Sequence, residues 1–67
     1  METKEVSLFE VFQKNLRVTM NEKADFLATG GAKSFEEYSK IVGVIEGLAL
    51  AERDLIDLFE ALRKGEE

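Results

Sequence analysis

Apolar side chains recur along this chain with the period of a helix. Phe9, Phe12, Leu16, Met20 and Leu27 follow one another at helical steps with Ala24 beside them, while Glu10, Lys14, Arg17, Asn21 and Asp25 take the opposite side. The pattern predicts an amphipathic helix over about residues 5 to 29. Val11 and Val18 lie off that stripe, so the apolar surface is wider than one partner helix needs. Thr19-Met20-Asn21-Glu22 is the weakest point, because Thr19 and Glu22 have the spacing of a capping box and a break or kink there competes with continuity.

Gly30-Gly31-Ala32-Lys33 closes this segment, since a glycine just past a helix adopts the left-handed conformation without steric cost. A start signal follows at once. Ser34 is placed as N-cap and Glu37 three residues on, while Glu36 and Glu37 sit where the helix dipole favours negative charge. A second helix is expected over about residues 35 to 64. Its stripe is Ile41, Val44, Ile45, Leu48, Ala51, Leu55, Leu58, Phe59 and Leu62, opposite Arg53, Asp57, Glu60 and Lys64. Glu36 with Lys40 and Glu60 with Lys64 are spaced four apart in the favourable order. Arg63, Lys64 and Gly65 suit the final turn and the stop.

So short a connection makes the helices antiparallel, which predicts an all-α, two-helix hairpin forming one domain over residues 1–67. Counting back from the turn sets Phe26 and Leu27 near Tyr38, Leu16 near Leu48, Phe12 near Ala51 and Phe9 near Leu55. The expected core is Phe9, Phe12, Leu16, Met20 and Leu27 from the first helix, with Tyr38, Ile41, Ile45, Leu48, Leu55, Phe59 and Leu62 from the second.

Ile41 to Ala51 carries a single charge, Glu46, and is apolar around most of its circumference. Such a stretch wants protein on every side, yet it is too short to cross a bilayer, which takes roughly 20 residues. The first helix covers only one side of it. With 67 residues the chain buries only about 60% of its unfolded surface. Small folds of this kind need a staple, and the absence of Cys and His removes disulfides and the usual zinc ligands. Self-association remains. Two hairpins closing by two-fold symmetry into a four-helix bundle is the expected assembly, as a homodimer or a higher closed oligomer.

The absence of proline and a 45% hydrophobic content fit a folded helical chain. The net charge of −5 falls entirely in residues 34–67, which hold nine acids and four bases against five of each before them. A basic face for nucleic acid is missing, so no nucleic-acid partner is expected. The N-terminal Met-Glu-Thr-Lys-Glu shows no basic region followed by an apolar run. The expectation is a cytoplasmic protein with no membrane partner.

Gly43, Gly47 and Ala51, spaced four apart, form a small-residue groove, and each helical glycine costs about 1 kcal/mol relative to alanine. Two explanations stand open: a close helix crossing between subunits, or packing of the two helices within one hairpin. The expected oligomer interface is Val11, Val18, Val42, Gly43, Glu46, Gly47, Leu50 and Ala51. Glu46 and Glu52 could act as a metal ligand or general base, but the favoured reading pairs them with bases of the first helix. The turn count sets Arg17 level with Glu46 and Lys14 near Glu52. Glu52, Asp54, Asp57 and Glu60 could mimic a phosphate backbone, although Arg53, Arg63 and Lys64 interrupt them, and a solvated face is the simpler reading. No nucleophile, dinucleotide or Walker pattern is present, and Tyr38 has no evident partner group. No catalytic residue, metal or cofactor is expected.

Gly31-Ala32-Lys33-Ser34-Phe35-Glu36-Glu37-Tyr38, then Val42-Gly43-Val44-Ile45-Glu46-Gly47-Leu48 and Ala51-Glu52-Arg53-Asp54-Leu55-Ile56-Asp57-Leu58, resemble a group of small acidic proteins of tailed bacteriophages. The shared features are Ala-Lys ahead of an aromatic and Glu-Tyr, then Gly and Gly-Leu inside a long helix. The resemblance spans residues 31–58 and implies a phage origin, with work in virion assembly or host takeover and a place in the host cytoplasm or the virion. The expected function is a non-enzymatic helical interaction module that binds itself, with a further phage or host protein as a second candidate partner. The competing expectation is an acidic inhibitor of a host nucleic-acid enzyme acting through the carboxylates of the second helix.

Overall fold

The computed structural model describes residues 3–65, and side-chain surroundings from Ser7 to Gly65. Two helices account for nearly all of them: α1, Thr3–Ala28, and α2, Phe35–Gly65. α1 runs without interruption through Thr19. The Thr19 hydroxyl donates to the Asn15 carbonyl at 3.0 Å, bonding back along the helix instead of capping a new one.

The turn is built from local signals. Gly31 N–H donates to the Phe26 carbonyl at 2.8 Å and Gly30 N–H to that of Leu27 at 3.1 Å, the paired bonds of a Schellman stop. Gly30 takes φ 78°, where a side chain would be strained. Gly31 answers a different need, since a Cβ on it would lie 2.5 Å from the Phe26 ring that folds over it. α2 opens with Ser34 Oγ accepting from Glu37 N–H at 3.1 Å. The expected return bond falls one residue earlier, with Glu37 Oε1 accepting from Lys33 N–H at 2.6 Å.

The helices pack through one seam stepped alternately by four and three residues, the spacing of an antiparallel coiled coil. Phe9, Gln13, Leu16, Met20, Lys23 and Leu27 form it on α1, and Ile41, Ile45, Leu48, Glu52, Leu55 and Phe59 on α2; each is buried or half-buried. Phe9 meets Phe59 with ring centroids 4.8 Å apart. The Arg63 guanidinium lies 5.8 Å from the centroid of the same Phe59 ring.

Three expected core residues, Phe12, Tyr38 and Leu62, are instead exposed. Phe12 loses its place to Gln13, which occupies the seam position between Phe9 and Leu16. Tyr38 lies beside the turn, where it stacks on Phe35 at 6.4 Å. The register also departs from the turn count. Phe9 meets Phe59, one turn beyond Leu55, and Arg17 reaches Glu52 in place of Glu46. Side chains lean toward the N-terminus of their own helix, so in an antiparallel pair the two lean in opposite directions and the pairs that touch are displaced.

Candidate interaction surface

Every position along an α-helix is turned about 100° from the last, so the seam divides each helix into two flanks. One side of the hairpin is polar. There Arg17 Nη2 donates to Glu52 Oε1 at 2.6 Å, and Gln13 Nε2 to Glu52 Oε2 at 3.4 Å. Glu52 is 7% exposed, while the Arg17 side chain keeps 58% of its surface in water. The pair joins α1 to α2 and satisfies a carboxylate that occupies a core position. Glu46 is exposed on the back of α2 and Lys14 on α1. The expected pairing of an acid in α2 with a base in α1 therefore exists, through a different acid.

The other side carries more large apolar side chains, interspersed with polar ones. A second row with the same four-and-three steps runs along α1 through Leu8, Phe12, Asn15, Thr19, Glu22 and Phe26. Its counterpart on α2 passes through Lys40, Val44, Gly47, Ala51, Asp54 and Leu58. Both rows lie on the flanks turned away from the Arg17–Glu52 pair, and so they share one face of the hairpin. Near the turn this face opens into a groove of about 310 Å³ lined by Glu22, Lys23, Phe26 and Ile41.

Leu16 and Met20 are the buried apolar side chains among the described residues, whereas eleven large apolar ones are 44% to 81% exposed. The chain exposes 5321 Å². A folded monomer of its mass exposes about 4300 Å² by the general scaling of surface with size, leaving an excess of about 1000 Å². Its radius of gyration is 15.4 Å, against about 11 Å for a globular chain of this length.

The eight expected interface residues do not make one surface. Gly43, Gly47 and Ala51 lie on or beside the apolar face, Val11 and Val18 on the back of α1, and Glu46 and Leu50 on the back of α2. Val42 is half-buried on the polar side. The two explanations for the glycines now separate: a Cβ at Gly43 or Gly47 meets nothing within 4 Å, so packing inside the hairpin requires neither. Apolar periodicity found nine of the twelve seam positions and missed Gln13, Lys23 and Glu52, which are polar residues in core positions.

No group of three or more potential metal-ligating side chains occurs among the described residues, and no helix among them is long and apolar enough to cross a membrane. No protein-family model, curated protein or solved structure matches this chain.

Proposed function

We propose that this protein is a non-enzymatic interaction module whose hairpin homodimerises into a four-helix bundle. The observation that carries this reading is the surplus of exposed surface. An excess of about 1000 Å² is close to what each partner contributes to a standard interface, about 800 Å². Leu8, Phe12, Phe26, Val44 and Leu58 are exposed together on one face, and an apolar patch of this kind supports an association site there. The resemblance of residues 31–58 to small acidic phage proteins supports assembly or adaptor work in a phage particle or an infected cell.

Thermal unfolding followed by circular dichroism tests this reading. A dimer melts at a midpoint that rises with protein concentration. A midpoint unchanged over a hundredfold range of concentration would contradict the proposal.

A further inference from the structure

We infer that the second copy lies on the apolar face turned end for end, with the two-fold axis crossing the hairpin at the level of Thr19 and Gly47. This rests on the self-association proposed above and adds the face, the orientation and the register.

Two ways of laying one hairpin on another by two-fold symmetry keep neighbouring helices antiparallel. The contacts of Gln13 with Glu52 and of Phe9 with Phe59 bracket the register of the two helices. A register between these two contacts sets Phe12 level with Asp54, Thr19 with Gly47, and Phe26 with Lys40. With both turns at one end, α1 lies over α2 of the second copy. Phe12 is then set against Asp54, desolvating the carboxylate against an aromatic ring with no opposite charge to meet it, and Lys40 lies against Phe26 and away from Asp54. Turned end for end, each helix lies over its own counterpart and the Asp54 carboxylate meets a base in place of a ring.

In α1, Phe12 then meets Phe26 of the second copy, beside the groove lined by Glu22, Lys23, Phe26 and Ile41. In α2, Lys40 meets Asp54 of the second copy, and neither has an ion-pair partner of its own among the described residues. Gly43 faces Ala51 of the second copy, and Gly47 faces itself. Open space around both glycines leaves room for a close crossing there. The facing surfaces thus match in shape, apolar character and charge.

The chain holds no cysteine, so single introduced thiols report the geometry. Gly47→Cys places two thiols beside the axis and should give a covalent dimer on mild oxidation, whereas Ala49→Cys on the opposite flank should not. Lys40→Asp should weaken the dimer about tenfold by setting like charges together, and adding Asp54→Lys should restore it. A dimeric mass with cross-linking at Ala49→Cys but not at Gly47→Cys would overturn this arrangement and leave self-association intact. So would a charge reversal that the second substitution does not rescue. A monomeric mass for the native protein would overturn both.

Discussion

Arg17 and Glu52 join the two helices at mid-length, Nη2 to Oε1 at 2.6 Å, with the carboxylate inside the seam and the guanidinium largely in water. The pair is asymmetric in consequence. Removing the base strands a buried charge, whereas removing the acid removes a desolvation cost.

Arg17→Met should therefore lower the stability of the hairpin by about 1–3 kcal/mol, because Gln13 alone then faces Glu52. Glu52→Leu should be neutral or raise stability by about 1–2 kcal/mol, since leucine continues the row from Leu48 to Leu55. Urea titration of both variants measures this. Equal losses would show that the pair itself, and not the stranded carboxylate, dominates.

Gly30→Ala should destabilise by about 1–2 kcal/mol, because φ 78° is strained for any side chain. Gly31→Ala acts differently. Its Cβ displaces the Phe26 ring, which is half exposed and free to swing, so the expected loss is smaller and the aromatic signals of Phe26 should shift. Thermal melts and proton NMR distinguish the two.

Ser34→Ala removes the acceptor for Glu37 N–H and should cost about 1 kcal/mol, whereas Ser34→Asp should retain the cap. Thermal melts of both variants check it; similar losses in the two would mean the hydroxyl contact does not stabilise the start of α2.

Both helices, the turn and its caps were legible in the sequence because their signals are local: helical spacing of apolar residues, Gly30 at a left-handed stop, Ser34 three before Glu37. The register was not, since a turn count levels backbones and ignores the opposite lean of the side chains. Nor was the choice of face. α1 carries two parallel rows, and the inner one includes Gln13 and Lys23, so apolar spacing alone drew Phe12 into the core. The glycines illustrate a different gap. Their cost was visible, but the open space around them could be seen only in the fold.

Phe12→Asp places a charge on the apolar face without touching the seam, so it should abolish the dimer and lower the melting midpoint. The native dimer should persist at about 0.5 M salt, because its stability comes from apolar burial and only in small part from Lys40 and Asp54. Size-exclusion chromatography at low and high salt checks both.

One hairpin leaves an apolar face exposed, and a second hairpin is proposed to cover it. Sedimentation equilibrium of the full chain measures it directly. The expected mass at micromolar concentration is twice the 7.6 kDa of the chain. A fully helical, cooperatively folded species of 7.6 kDa that persists to millimolar concentration would contradict it.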